Sequence, residues 1–219
     1  KDDRRQLLVT SGEEVQVLWR QAEEVTFAAL DNFVQLRGLI EYSNKCRKSC
    51  LYCGVRSNNT NIERYTLTDD EVVECAKLSH KLGYGSVAIQ SGERSDKAFT
   101  DKITTLIKRI KEIDGGSLGI TLSLGEQSDE VYREWFEAGA HRYLLRIESS
   151  NEDLYYKIHP HDERHDFHKR LACIDSLLSI GYQTGTGVMV GLPFQTIDIL
   201  ADDLIFFRQK DVAMVGMGP

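Results

Sequence analysis

The sequence is poor in cysteine and proline, and it lacks a long apolar run. Its 219 residues include five cysteines and three prolines. No segment approaches the roughly 20 consecutive apolar residues that span a bilayer, and no secretory signal opens the chain, so we expect no membrane partner. A chain of this length can bury a core without disulfides, and an odd number of cysteines cannot pair completely. We therefore expect a protein of the reducing cytoplasm, where clustered thiols bind metal or act in catalysis.

The sequence also lacks an excess of basic residues. Lys and Arg together number 27 and Asp and Glu together number 34, so the net charge is −7. A nucleic-acid-binding protein normally presents clustered positive charge to the phosphates, so we expect no nucleic acid partner. No low-complexity or linker-like stretch divides the chain, which favours one main folded unit.

Three of the five cysteines lie together in the stretch IEYSNKCRKSCLYCGVR, in the order Cys46-x3-Cys50-x2-Cys53. Three thiolates at this spacing can hold a 4Fe–4S cluster, which normally takes four cysteines, so one iron would stay open for a substrate or cofactor. A structural zinc site and unrelated buried thiols are the alternatives. Zinc would require a fourth Cys or His nearby, and no His occurs between residues 42 and 65.

Helical and strand patterns alternate along the chain. Ser11 opens a Ser-x-x-Glu capping pattern that predicts a helix to about Leu30, and Thr68 opens another that predicts a helix ending near Gly83. The predicted strands are 34–42, SVAIQSGE, LGITLSLGE, RYLLRIE, QTGTGVMVGLP and MVGMGP. Each strand but the last is followed by a predicted helix, and this alternation indicates a parallel α/β barrel or doubly wound sheet.

Polar side chains follow the predicted strands. The carboxyl ends of parallel strands meet at one edge of a sheet, where the chemistry of such folds collects. After the cysteine loop, the polar residues at strand ends are Ser91, Glu93, Ser123, Glu126, Arg146 and Glu148, and Gly191-Leu192-Pro193 follows the fifth strand. We expect them to converge on one mouth. The chain stops at a strand with no helix to cover it, so we expect an incomplete protein.

The cysteine spacing, with aromatic Tyr52 before the last cysteine, resembles the signature of the radical S-adenosylmethionine (SAM) superfamily. The resemblance implies a parallel (β/α) TIM-type barrel at residues 34–219, preceded by a helical extension at residues 1–33. It also implies two cofactors, a 4Fe–4S cluster on the three cysteines and SAM at the open iron. The reduced cluster would cleave SAM to a 5′-deoxyadenosyl radical, while the protein binds, orients and excludes water.

Further segments resemble the HydE family of hydrogenase H-cluster maturases, in order and at suitable spacing from about residue 10 onward. They are IEYSNKCRKSCLYCGVR, QSGE, TLSLGE, AGAHRYLLRIES, GYQTGTGVMVGLPFQT and DVAMVGMGP. The biotin synthase and methylornithine synthase (PylB) families are similar. HydE-like enzymes close the barrel with two further strand–helix units, so the resemblance implies that six strands are visible and that the C-terminal part is missing.

The resemblance assigns roles around SAM. Ser91-Gly92-Glu93 replaces the superfamily's Gly-Gly-Glu, which holds the SAM amino group through backbone and carboxylate acceptors. Glu148 matches the acid that binds the ribose, and Arg170 matches the arginine that pairs with the SAM carboxylate.

Two further contacts to SAM and one to the substrate follow from the same resemblance. Tyr52 would lie by the adenine, and the glycines around Gly191 would let the backbone approach it. Arg146 matches a residue that faces the central cavity next to the substrate, and its structural alternative is an ion pair with Glu148. We expect Thr121, Ser123 and Glu126 to line the same cavity.

The implied function is an enzyme that cleaves SAM reductively and helps to build the two-iron subcluster of FeFe-hydrogenase. Its substrate would be a small molecule in the barrel, such as a cysteine-bound iron carbonyl cyanide complex. An electron donor such as flavodoxin or ferredoxin and hydrogenase-maturation proteins would be its partners. A methylornithine- or biotin-synthase-like enzyme is the alternative within the superfamily. An iron–sulfur electron carrier or a zinc-binding module is the alternative from another class.

Several other polar residues are interpreted as structural. We expect a solvated loop, rather than a metal site, around His159, His161, His165 and His168. We expect the exposed face of a helix at Asp198, Asp202 and Asp203. Cys75 and Cys173 fall within predicted helices and are expected to be small buried residues.

Overall fold

The computed structural model describes residues 2–219, which form eight α-helices and six β-strands. The helices are α1 (Asp2–Val9), α2 (Glu13–Leu30), α3 (Asp69–Lys81), α4 (Lys97–Lys111), α5 (Asp129–Glu137), α6 (Glu152–Ile158), α7 (Phe167–Ile180) and α8 (Ile197–Lys210). The strands are β1 (Gly38–Ser43), β2 (Ser86–Ser91), β3 (Gly119–Ser123), β4 (Arg142–Leu144), β5 (Gln183–Met189) and β6 (Met214–Gly218).

All six strands form one sheet in the order β1-β2-β3-β4-β5-β6. Every neighbouring pair is parallel, and at least one helix lies between successive strands. This confirms the predicted parallel α/β architecture of the barrel type. Within the described residues β1 and β6 do not pair with each other, so the sheet is not closed.

The core lies between the sheet and the helices. On α4, Ile103, Leu106, Ile107 and Ile110 are fully buried, at the spacing of a single helix face. They belong to one continuous hydrophobic cluster with strand residues such as Ile89. Burial of this face removes apolar surface from water and fixes α4 against the sheet, which leaves the other side of the strands for polar residues.

The two predicted helix caps have different outcomes. At α3 the capping box is confirmed, because the Thr68 side chain accepts from Glu71 N and the Glu71 side chain accepts from Thr68 N. At α2 the prediction was wrong, because Gly12, with a φ of 61°, occupies the N-cap position and no side chain caps the helix. Ser11 therefore lies one residue too early to reach the first turn.

Local boundaries also differ from the sequence pattern. Strand β1 begins at Gly38 rather than at Val34, whose side chain is 88% exposed. The sequence patterns did not predict α1 or the short helix α6, where Asn151 provides the cap by accepting from Leu154 N. Both are short, and short helices carry a weak periodic signal.

The N-terminal helices add little to the core. None of the residues of α2 is buried, and Trp19 is 60% exposed. Helix α1 packs near α8, where Arg5 Nε lies 3.1 Å from Asp198 Oδ1. Among the described residues, no helix has both the length and the apolar character required to cross a membrane.

Two interpretations of polar residues on helices were wrong. Cys75 is exposed on α3, whereas Cys173 is buried as expected. Asp203 is fully buried, and its Oδ1 accepts from both the backbone N and the Oγ of Ser150, at 2.7 and 2.6 Å. These bonds join α8 to the segment that follows β4, so this aspartate has a structural role rather than a solvated one.

Candidate active site

The cysteine loop, residues 46–53, follows β1 and lines a cavity of about 450 Å³ at the carboxyl ends of the strands. Cys46, Cys50 and Cys53 all line this cavity. The other predicted site residues that line it are Tyr52, Ser91, Gly92, Glu93, Arg146, Glu148 and Arg170. The strands thus bring side chains more than 100 positions apart in the chain to one mouth.

The end of β2 supports the cysteine loop through the backbone. Cys46 Sγ accepts from the backbone N–H groups of Lys48 and Glu93, at 3.4 and 3.3 Å. A Cβ on Gly92 would lie 2.5 Å from Lys45 O, so only glycine permits this close approach. Amide hydrogens directed at a cysteine sulfur are the supporting contacts that iron–sulfur ligands use.

The three thiols are compatible with a cluster. Across residues 2–219, no three His, Cys, Asp or Glu side chains converge on one metal-ion position. A 4Fe–4S cluster does not require such convergence, because each cysteine binds a different iron. Burial raises the pKa of the Cys50 thiol to about 11, and a bound metal would favour its thiolate.

A buried network of charges lies behind the cysteine loop. Lys48 Nζ donates to Glu126 Oε1 and lies 3.4 Å from Glu93 Oε1, and Arg170 Nε lies 2.8 Å from Glu126 Oε1. Burial by itself would raise the pKa of Glu126, but Arg170 and Lys48 outweigh it and hold this pKa below its ordinary value. Two cations thus face two carboxylates in the network, which favours the ionised form of Glu126.

Glu93 is also engaged from other sides. Glu126 N donates to Glu93 Oε2 at 3.0 Å, and Arg47 Nη2 donates to Glu93 Oε1 at 3.2 Å. The expectation that Glu126 and Thr121 line the cavity is not met, because both are buried behind it. Ser123 does line the cavity.

Glu148 has an unusual backbone conformation. Its φ is 66°, in the left-handed region that favours glycine, and its backbone bonds to both Gly187 and Met189 on β5. A non-glycine residue held there costs free energy, and such residues cluster at functional sites. The strained residue is thus one whose side chain lines the cavity.

Arg146 and Glu148 lie beyond the end of β4 and contact each other. Arg146 Nη2 is 3.1 Å from Glu148 Oε2 and donates to Val188 O at 2.8 Å. The ion pair considered as the structural alternative therefore exists, yet both residues line the cavity. Burial raises the pKa of Glu148, and Arg146 partly offsets this effect. Glu148 Oε2 and Arg146 Nε are both buried, and Arg146 Nη2 is the partner that the described contacts give to Glu148 Oε2.

Two of the four histidines are buried, which contradicts the predicted solvated loop. His159 and His165 are each 1% exposed, whereas His161 and His168 are exposed. Burial lowers the pKa of His159 to about 3, so this imidazole is neutral. Its Nε2 lies 3.1 Å from Tyr52 Oη, which ties it to the cavity wall.

Gly191 lies outside the cavity lining. It is exposed in the turn after β5, with a φ of 87°, and its N–H donates to Gln195 Oε1 at 2.8 Å. Packing between strands explains the glycine at position 187, because a Cβ there would lie 1.9 Å from Gly216 O on β6. That close approach between strands accounts for a glycine without reference to a ligand.

Sequence reasoning missed several lining residues. Glu41 on β1, Gln90 on β2 and Lys48 of the cysteine loop all face the cavity. Glu41 lies between buried Ile40 and Tyr42, so the alternation of exposed and buried positions along β1 was a usable signal. Lys48 had no such signal, because its partners are the carboxylates of Glu93 and Glu126, which follow β2 and β3.

Comparison with known proteins agrees with this geometry. The model of the Radical SAM superfamily matches residues 40–206. The chain is 45% identical over 204 residues to the [FeFe] hydrogenase maturase subunit HydE of Thermotoga maritima, covering 93% of this chain and 57% of that protein. It is 30% identical over 168 residues to a biotin synthase of Leptospira interrogans, covering 74% of this chain and 46% of that protein.

A solved structure has the same fold. The crystal structure of methylornithine synthase (PylB) superposes with a TM-score of 0.89 at 26% identity, covering 99% of this chain and 63% of that chain. The present chain thus spans about half to three fifths of the length of these relatives. Because the family match extends over most of the sheet and includes all three clustered cysteines, the chain belongs to the radical SAM superfamily.

Proposed function

We propose that the chain binds a 4Fe–4S cluster and SAM in the 450 Å³ cavity and is the catalytic core of a HydE-like maturase. The observation that carries this proposal is the shared cavity. Three thiols, the paired Arg146 and Glu148, and the segment Ser91-Gly92-Glu93 all meet there. We assign this core to residues 34–219 and the helical extension to residues 1–33.

In this proposal Cys46, Cys50 and Cys53 hold the cluster and leave one iron open. When bound, the reduced cluster supplies an electron to the SAM sulfonium, and cleavage of SAM yields the 5′-deoxyadenosyl radical. The chain itself would hold the cluster and SAM at a fixed position relative to each other and keep water away from the cysteine loop. Free thiols are needed for this role, which fits the reducing cytoplasm.

The proposed SAM contacts follow the charges of the cavity. Glu93 and the backbone of Ser91 and Gly92 would accept from the amino group, and Arg170 would pair with the carboxylate. Glu148 would accept from the ribose hydroxyls, with its carboxylate held in place by Arg146.

Two contacts with the adenine complete the set. Tyr52 would pack against the ring, and Gly191 would lie near it. Gly191 is exposed in the turn after β5, outside the lining of the cavity.

The substrate end of the cavity is also charged. Arg146 would contact a small anionic or polar substrate, for which an iron complex of cysteine with carbonyl and cyanide ligands is the proposed case. The 45% identity to the HydE of Thermotoga maritima, over an alignment that covers 93% of this chain, supports a role for the chain in H-cluster assembly. We further propose flavodoxin or ferredoxin as electron donor and other hydrogenase-maturation proteins as partners.

A second candidate within the superfamily is a methylornithine- or biotin-synthase-like reaction. The TM-score of 0.89 with PylB favours it, because the same fold accommodates that chemistry. If the chain were instead an iron–sulfur electron carrier or a zinc-binding module, it would not bind SAM, and its activity would not require Glu148.

Anaerobic reconstitution with iron and sulfide, followed by electron paramagnetic resonance with and without SAM, tests the proposal. The reduced chain should show a 4Fe–4S signal that changes when SAM is added and should release 5′-deoxyadenosine. Cys50→Ala should abolish both. Cys75→Ala, at an exposed cysteine outside the cavity, is the matched control and should retain both.

A second variant separates SAM binding from cluster binding. Glu148→Gln should weaken SAM binding about tenfold, because a hydrogen bond to a charged group is lost, while the cluster spectrum without SAM is retained. Glu148 serves this purpose better than Arg170, whose removal would leave Glu126 without its guanidinium partner. A signal indifferent to SAM would favour the electron carrier, and 5′-deoxyadenosine release by Cys50→Ala would refute the cysteine assignment.

A further inference from the structure

Residues 158–165, which run from the last residue of α6 toward α7, hold the cysteine loop from outside the sheet. Leu51 N donates to Ile158 O at 3.0 Å, and Arg164 Nη1 donates to Arg47 O at 3.2 Å. Two more contacts come from its buried histidines. We call residues 158–165 the histidine segment.

His165 accepts a hydrogen bond from inside the cysteine loop. Its Nε2 lies 3.0 Å from Ser49 N, and its Nδ1 lies 2.6 Å from Asp162 Oδ1. A backbone N–H can only donate, so Nε2 carries no proton and Nδ1 donates to the carboxylate. Asp162 therefore fixes the tautomer that receives the Ser49 amide.

His159 has the same arrangement toward the other end of the loop. Its Nδ1 lies 2.9 Å from Tyr155 O, and its ring stacks on Tyr155 with centroids 4.0 Å apart. A carbonyl oxygen can only accept, so Nδ1 carries the proton and Nε2 accepts the hydroxyl hydrogen of Tyr52. Tyr52 precedes Cys53, so this contact fixes the residue next to the third cysteine.

We propose that His159 and His165 are positioning residues that order the cysteine loop for cluster binding. The inference rests on the proposed function of the three cysteines. Ser49 lies directly before Cys50 and Tyr52 directly before Cys53, so His165 fixes the backbone beside one thiol and His159 fixes the side chain beside another. Without His165 the half-buried Ser49 amide would lose its acceptor, and the loop would sample other conformations.

The other two histidines of this region provide a contrast within the same chain. His161 and His168 are exposed, and His168 is 70% exposed with its Nε2 3.2 Å from Glu152 Oε1. Neither has a hydrogen bond to the cysteine loop among the described contacts. His168→Leu is thus a matched control for His165→Leu.

Hydrogen–deuterium exchange of the metal-free chain tests the contact without any cofactor. Loss of one hydrogen bond should speed exchange of the peptide spanning residues 46–53 about fivefold in His165→Leu. His165→Gln should restore slow exchange, because its amide oxygen can accept from Ser49 N at nearly the same position. His168→Leu should exchange at the wild-type rate.

A second variant covers the case in which His165→Leu does not fold. Asp162→Ala, at a position 49% exposed, removes the partner of Nδ1 and should speed exchange of the same peptide. Iron and sulfide content after reconstitution should fall in both variants and recover in His165→Gln. A folded His165→Leu with wild-type exchange and iron content overturns the proposal.

The two proposals fail in different ways. If wild-type chain takes up no cluster, the proposed function fails, and the exchange rates alone decide whether the histidines order the loop. If the wild-type chain binds cluster and His159→Phe and His165→Leu bind it equally well, the positioning role is wrong and the proposed function stands.

Discussion

At the scale of single residues, the site depends on buried charges that neutralise one another. Lys48, Glu93, Glu126 and Arg170 have side chains that are at most 10% exposed. Buried ions are tolerated when every charge has a partner, and removal of one partner leaves the other without compensation. The residues that surround the proposed SAM carboxylate and amino group are therefore also part of the folded structure.

Replacement of Glu126 tests this dependence. Glu126→Gln leaves Lys48 and Arg170 with one carboxylate between them, so the free energy of unfolding should fall by about 3–5 kcal/mol. Urea unfolding followed by circular dichroism measures the change. Glu137→Gln, at an exposed carboxylate of α5, is the control and should stay within about 0.5 kcal/mol of wild type. A loss below about 1 kcal/mol in Glu126→Gln would contradict the charge balance.

At the scale of elements, similar sequence patterns produce different local structures. The Ser-x-x-Glu pattern at Ser11 and the Thr-x-x-Glu pattern at Thr68 are chemically similar, but only Thr68 caps its helix. The difference is the position of the chain turn, because Gly12 takes the N-cap position at α2. Helix α3 is thus anchored at the point where the chain returns to the sheet after the cysteine loop.

A pair of substitutions measures this difference. Thr68→Ala should lower the free energy of unfolding by about 1 kcal/mol, because the Glu71 N–H loses its acceptor. Ser11→Ala should leave stability unchanged, because Ser11 makes no capping bond. Equal effects of the two substitutions on chemical denaturation would show that the cap is not the cause.

At the scale of the whole molecule, the stability resides in the sheet and the helices α3 to α8. Helix α2 buries none of its residues, and the Arg5–Asp198 contact of α1 lies on the surface. Surface ion pairs of this kind contribute little, typically up to about 1 kcal/mol. This distribution supports a boundary between residues 1–33 and the core.

Removal of residues 1–33 tests that boundary. The shortened chain should unfold cooperatively with a midpoint within about 4 °C of the full chain, since little buried area is lost. Thermal unfolding by circular dichroism and iron content after reconstitution are the measurements. A non-cooperative transition would show that the N-terminal helices belong to the core.

The sequence by itself determined the features that depend on neighbours in the chain. Spacings of a few residues predict three of these features, which are the strand–helix alternation, the cap at Thr68 and the cysteine triplet. Parallel strands then required the residues that follow each strand to meet at one edge. For this reason most of the predicted site residues line the cavity, with Thr121, Glu126 and Gly191 outside its lining.

Only the tertiary structure decided which polar residues are buried and what they contact. Ser49 and His165 are 116 positions apart, and Ser150 and Asp203 are 53 apart. Such pairs have no local pattern, since their hydrogen bonds form only when distant elements pack. The burial of His159, His165 and Asp203 and the exposure of Cys75 therefore depended on three-dimensional proximity, which periodicity along the chain does not encode.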